Sequence, residues 1–120
     1  MTSQMRIADM EAAATLLTLM GNERRLAILS HLVETEMTVG AIAEKVGLSQ
    51  SALSQHLAKL RAAGLVETRR DRQMIYYSCR SQAVRGLLRT LSHIFIDGMA
   101  HLSPPGLDGL AQALPDGADA

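Results

Sequence analysis

The chain has no tryptophan, two tyrosines, one phenylalanine and one cysteine, and its three prolines all follow residue 103. Each shortage excludes something. Aromatic residues make up 2% of the chain but hydrophobic residues 48%, so the core must be aliphatic, built from Leu, Ile, Val, Ala and Met. A lone cysteine, Cys79, forms neither a disulfide nor a thiolate metal cage within one chain. No basic stretch followed by an apolar run is found near the N-terminus, so no secretory signal is expected. Charge interrupts every long apolar window, so no membrane span is expected either. The default is a reduced, cytoplasmic protein. With 120 residues there is room for one core and one domain.

No excess of either sign exists, since 12 basic residues balance 12 acidic ones. The net value argues against a nucleic-acid partner, but the distribution reverses that. Residues 49–80 carry six basic side chains (Lys59, Arg61, Arg69, Arg70, Arg72, Arg80) against two acidic ones, Glu67 and Asp71. The flanking regions are each net acidic. A basic stripe of this kind suits a phosphate-contacting surface; an ordinary solvated segment is the alternative that charge alone leaves open.

Apolar periodicity predicts a first helix over about Ile7–Met20, with Met10, Ala14 and Leu17 on one stripe. Gly21 ends it and Asn22 caps a second helix, about Glu23–Val33, with Leu26, Leu29, Leu32 and Val33 inward. Thr38 caps a short third helix whose apolar face is Val39, Ile42, Ala43 and Val46, and Gly47 stops it. Ser49 caps a fourth helix to about Ala63, closed by Gly64. The period then changes to two. Leu65–Arg70 and Met74–Cys79 read as strands joined by Asp71, Arg72 and Gln73. A fifth helix, about Ser81–Ala100, presents Val84, Leu87, Leu88, Leu91, Ile94 and Phe95. The domain is expected to span 1–102, with 103–120 a mobile Pro/Gly-rich tail. The fold class is mainly α with a β-hairpin.

A short helix, a break at Gly47 and a second helix form a helix-turn-helix arrangement. At about 100° per residue, Gln50, Ser51, Ser54, Gln55, Ala58 and Arg61 share one arc of the fourth helix, while Leu53, Leu57 and Leu60 share another. The polar arc holds hydroxyls, amides and an arginine, and no carboxylate to repel phosphate. Ser and Gln side chains donate to and accept from base edges, and Gln pairs with adenine through two bonds. Ser49 leaves a helix N-terminus to face a phosphate, and Lys59 lies at the edge of the arc. His56 falls toward the apolar side and reads as a packing or hydrogen-bonding residue. In the hairpin, Arg69, Arg70, Arg72 and Gln73 are candidates for the duplex backbone or the adjacent minor groove. Double-stranded DNA is the expected partner.

The run Gly-Leu-Ser-Gln-Ser-Ala-Leu-Ser-Gln-His-Leu-Ala-Lys-Leu-Arg-Ala-Ala-Gly-Leu-Val at 47–66 strongly resembles the ArsR/SmtB family of winged-helix repressors. The segments Asn-Glu-Arg-Arg-Leu-Ala-Ile-Leu at 22–29 and Arg-Arg-Asp-Arg-Gln-Met-Ile-Tyr-Tyr-Ser at 69–78 add to the likeness. What the resemblance implies is a winged helix-turn-helix homodimer, joined by its first and last helices and repressing from a palindromic operator. On that basis Met10, Leu17, Leu91 and Phe95 are candidate interface residues. An organic ligand near the same residues is an alternative to bland dimer packing.

The family's sensor positions are not filled. Thr38, Val39 and Gly40 stand where a Cys-Val-Cys would bind metal. Ser81, Ala83, Ile94 and Asp97 stand at the zinc positions of the last helix, and Ser30 and Ile96 at a persulfide-sensing pair. No metal site and no cofactor are therefore expected, and a metal effector is not expected. Cys79 reads as a buried structural cysteine, with redox sensing as the alternative. Paired carboxylates, a nucleophile elbow and a phosphate-cradling glycine loop are all missing, which argues against an enzyme. A winged-helix protein-interaction module is the competing class.

Overall fold

The computed structural model describes residues 4–96. Its elements in chain order are α1 (Ile7–Met20), α2 (Glu23–Leu32), β1 (Met37–Thr38), α3 (Val39–Val46), α4 (Gln50–Ala62), β2 (Glu67–Asp71), β3 (Met74–Ser78) and α5 (Gln82–Phe95). The expected tail and the end of the expected fifth helix lie outside the described residues.

Short polar side chains set the helix starts. Asn22 Oδ1 accepts from the amides of Arg24 and Arg25, both at 3.0 Å. Thr38 Oγ1 accepts from Ala41 N, Ser49 Oγ from Ala52 N and Ser81 Oγ from Val84 N. Each satisfies an amide that the helix itself leaves unpaired. Gly47 ends α3 in the left-handed region at φ +70°, where its own amide and that of Leu48 both reach Ala43 O. Gly64, at φ +77°, follows α4 in the same left-handed region, its own amide on Arg61 O and that of Leu65 on Leu60 O.

The core is aliphatic, as the composition requires. Ile28, Leu29, Leu32, Ile42, Leu53, Leu57, Leu60, Val84 and Cys79 are all but fully enclosed. Burying each such branched side chain is worth about 1.5–3 kcal/mol. On the second helix Leu29 and Leu32 are buried, Leu26 and Val33 are half-buried and pack against the same cluster, and Ile28, which the expected face did not include, is fully buried. The buried arc is wider than expected, and α2 touches both α1 and α3.

Two further corrections concern strands. The short β1 was not expected; it pairs antiparallel with β3 (Met37 with Tyr77, Thr38 with Tyr76), giving a three-stranded sheet in the order β1-β3-β2. Two residues carry too little period to read as a strand, and β1 exists because β3 offers it an edge. The first hairpin strand starts at Glu67, because Leu65 N closes the α4 terminus on Leu60 O and Val66 turns into the core. Asp71 pairs with Met74, so the turn is only Arg72 and Gln73.

Helix α2 is the hub of the side-chain ties. Arg24 Nη1 donates to Val46 O at the end of α3. Arg25 Nε donates to Leu19 O of α1 at 2.6 Å, and its Nη1 lies 3.5 Å from His56 Nδ1 on α4. The C-terminal end of α2 receives Cys79 N at Leu32 O and Arg85 Nη2 at Val33 O. Burial, then the neighbouring charges of Arg25, Lys59 and Arg24, pushes the His56 imidazole below its ordinary value.

Two outcomes follow from this packing. A Cβ on Gly47 would meet nothing within 4 Å, so Gly47→Ala carries only the left-handed backbone cost, about 1–2 kcal/mol. A fall of several degrees in the thermal midpoint, with unchanged circular dichroism, is the expected reading. For His56, the unfolded imidazole takes its proton near pH 6.5 (about the free value) before the folded one does. Stability is therefore full above about pH 6.5 and is lost as pH falls toward the lower folded value. In denaturant melts His56→Gln should lose less stability than the parent chain between about pH 7 and 5; an equal loss would assign the acid sensitivity elsewhere.

Candidate nucleic-acid interface

Helix α4 is split along its length as its sequence predicts. Leu53, Leu57 and Leu60 are at most 1% exposed. Gln50, Ser51, Ser54, Gln55, Ala58 and Arg61 are all exposed, as is Lys59 beside them. Gln50 lies against α3, its amide nitrogen 3.8 Å from where a Cβ on Gly40 would begin. Ser49 Oγ is engaged by Ala52 N and by Ser51 Oγ at 3.3 Å, so its hydroxyl is already in use as a cap. Lys59 and Arg61 fall in the last turn, where cations also suit the helix dipole. The exposed arc holds no acidic side chain.

The hairpin sorts its basic residues by face. Side chains alternate along a strand, and the register couples Arg69 with Tyr76, Thr68 with Tyr77 and Arg70 with Ile75. Tyr77 lines a groove of about 470 Å³ with Ser54, Leu57, Ala58, Arg61 and Ala62 of α4. Thr68, Arg70 and Ile75 thus share the sheet face that meets α4. Arg69 is on the opposite face and does not join the α4 residues. Its Nε donates to both Glu36 carboxylate oxygens at 2.9 and 2.8 Å, and its guanidinium rides 4.6 Å over the Tyr76 ring. The Arg69 hydrogen bonds hold the Glu36 carboxyl below its ordinary value, which keeps the pair charged in mild acid.

At the turn, Arg72 has φ +62° and is the described chain's one non-glycine residue at positive φ. A two-residue hairpin turn demands that conformation, and glycine or asparagine would adopt it more easily. Its carbonyl accepts from Arg70 Nε at 3.0 Å. Arg70, Arg72 and Gln73 are all exposed.

Sequence reasoning missed Glu36 and the part played by the tyrosines. Tyr76 and Tyr77 alternate against Arg69 and Thr68, which is a readable signal; the partner of Arg69, 33 positions away, has no local one. Cys79 is 2% exposed just past β3, and burial pushes its thiol up. That placement is the one expected of a structural cysteine.

The candidate interface residues come together only in part. Leu17 and Leu91 line a cavity of about 260 Å³ with Met20, Leu26 and Leu87. Leu91 and Phe95 line a second, of about 280 Å³, with Leu26, Ser30, Leu88 and Ile96. Met10 lines neither. Ile7, Met10, Leu17, Phe95 and Ile96 leave 45–78% of their surface open. Such an exposed apolar surface over two helices exceeds scattered single residues.

Of the family's sensor positions, Thr38 and Ser81 serve here as helix caps, Ser30 and Ile96 line one cavity, and Asp97 lies outside the described residues. Among the described residues no three His, Cys, Asp or Glu side chains come together to hold a metal ion. No described helix is long and apolar enough to cross a membrane.

Comparison with known proteins agrees with this geometry. Residues 22–68 match the family described as "Bacterial regulatory protein, arsR family". The nodulation protein NolR of Rhizobium meliloti is 62% identical over 89 residues, 74% of this chain and 73% of NolR. The crystal structure of NolR from Sinorhizobium fredii superposes with a TM-score of 0.70 at 56% identity, covering 79% of this chain and 97% of that one. The solution structure of Mb0332 from Mycobacterium bovis, described as a homodimeric winged helix-turn-helix DNA-binding domain, gives a TM-score of 0.69 at 30% identity, covering 84% and 95%. Helix-turn-helix, wing and sequence thus agree that the chain belongs to the arsR family of winged helix-turn-helix transcriptional regulators.

Proposed function

We propose that this protein is a cytoplasmic, non-enzymatic, dimeric transcriptional repressor that reads a palindromic operator. The observation that carries the reading is the carboxylate-free polar face of α4, exposed to solvent and backed by three buried leucines. In this reading α4 enters the major groove. Gln50, Ser51, Ser54 and Gln55 meet base edges, while Ser49, Lys59 and Arg61 meet phosphates. Arg70, Arg72 and Gln73 reach the flanking backbone or minor groove. Arg72 supports this most, since a long cation held at positive φ is a strained choice that folding alone does not explain.

The open apolar surface of α1 and α5 supports the dimer, with Met10, Leu17, Leu91 and Phe95 as its contacts. Two copies would present their α4 helices about 34–36 Å apart, one turn of duplex. Occupancy alone then excludes other proteins from the operator, so repression needs no further surface. Neither a metal effector nor a cofactor enters the scheme, and the buried thiol of Cys79 argues against redox control.

Selection of bound sequences from a random duplex pool tests the reading, and a pseudo-palindrome bound by two chains is the expected product. Weak, sequence-indifferent binding would overturn it in favour of an interaction module. Gln55→Ala and Ser54→Ala should each cost about 1–3 kcal/mol at specific base pairs. Arg72→Asn should weaken binding to every sequence and lower the salt slope by about one contact, while leaving the thermal midpoint unchanged or higher. Leu17→Asp should yield monomers that bind the operator poorly. Zinc and peroxide should leave operator affinity unchanged, and a peroxide effect abolished by Cys79→Ser would instead make the thiol a sensor.

A further inference from the structure

The hairpin's backbone pairs with the helical body where β3 meets the two-residue β1, and again just past β3, where Cys79 N donates to Leu32 O of α2. Among the described residues, Glu36–Arg69 is the one ion pair linking hairpin and body. The pair spans the whole sheet. Glu36 stands next to β1 at one edge, Arg69 is on β2 at the other, and Tyr76 of β3 lies between them under the guanidinium. Glu36 is itself tied to α2, because the preceding residues Glu34 and Thr35 both donate their amides to His31 O.

An exposed ion pair adds little to folding, with a median of about 0–1 kcal/mol. This one has unusual geometry for a surface pair: a two-oxygen grip by Arg69 and a ring beneath its face. Such a grip fixes orientation as well as distance. It acts on the sheet face opposite Arg70 and α4, so it sets the tilt of the hairpin without occupying the side turned to a duplex. A guanidinium committed in this way is also a poor phosphate ligand.

We propose that Glu36 is a positioning residue for DNA recognition: through Arg69 and Tyr76 it sets the angle of the wing, and the contribution of Arg70 and Arg72 to operator affinity depends on it. The inference rests on the DNA-binding reading above. It also gives Arg69 a different role from the phosphate contact that its charge suggests.

The test measures operator affinity over a range of salt concentrations for the full chain and for Glu36→Ala, Arg69→Met, both together, and the swapped pair Glu36→Arg with Arg69→Glu. Thermal melts confirm that each variant is folded at the assay temperature. Glu36→Ala removes a negative charge near a polyanion, so electrostatics alone would tighten binding. The clamp predicts the opposite sign, a loss of roughly 3- to 10-fold. Arg69→Met should weaken binding by a similar factor with the salt slope unchanged, because no phosphate contact is lost. The double variant should be no worse than either single one, and the swapped pair should recover part of the loss.

A salt slope lowered by about one contact in Arg69→Met would make Arg69 a phosphate ligand and overturn the proposal. So would tighter or unchanged binding by Glu36→Ala. If the parent chain binds its selected operator and the variants match it, only this inference fails; if the parent chain selects no sequence, the DNA-binding reading fails with it.

Discussion

The burial of Leu53, Leu57 and Leu60 is the constraint on which the rest of the molecule depends. These three residues share one cluster with Ile28, Leu29 and Leu32 of α2 and with Ile42 and Val46 of α3. At about 1.5–3 kcal/mol each, their contribution is comparable with the whole net stability of a small domain. Because α4 cannot rotate without exposing them, its other face is held outward with the serines and glutamines in fixed order. Specificity in a helix of this kind comes from a core that leaves only one face available.

The same core organises the connections among the helices. Arg24 and Arg25 are adjacent on α2 but serve different neighbours: one closes the end of α3, and the other donates to the Leu19 carbonyl near the end of α1 and approaches His56 on α4. The helix carrying much of the open apolar surface and the helix carrying the polar arc therefore touch a single side chain. Cys79 and Arg85 anchor the other end of α2, so the hairpin and α5 are referred to the same helix.

The hairpin follows a different logic. Its strands bury little, and its turn accepts a positive φ at an arginine instead of a glycine. Folding would favour the easier residue, and the cation at the tip is one of the features on which the proposed phosphate contact rests. The Glu36–Arg69 pair over Tyr76 lies in this region and ties β2 across the sheet to the residue before β1.

Much of this was legible in the sequence. The capping roles of Asn22, Thr38 and Ser49, the stops at Gly47 and Gly64, and the division of α4 into two faces all follow from periods and end signals read over a few residues. Those signals are local, because a helix closes its own hydrogen bonds within one turn. The existence of β1, the burial of Ile28 and the faces taken by Arg69 and Arg70 were not legible. Each depends on which edge or face another part of the chain presents. A strand of two residues exists only beside its partner; neighbouring arginines on a strand always point apart, but which of them faces α4 is decided by the packing of the sheet. The sequence by itself determined the helices and the polar arc; the tertiary structure alone decided that Glu36 holds Arg69, because that contact depends on the order of strands across the sheet.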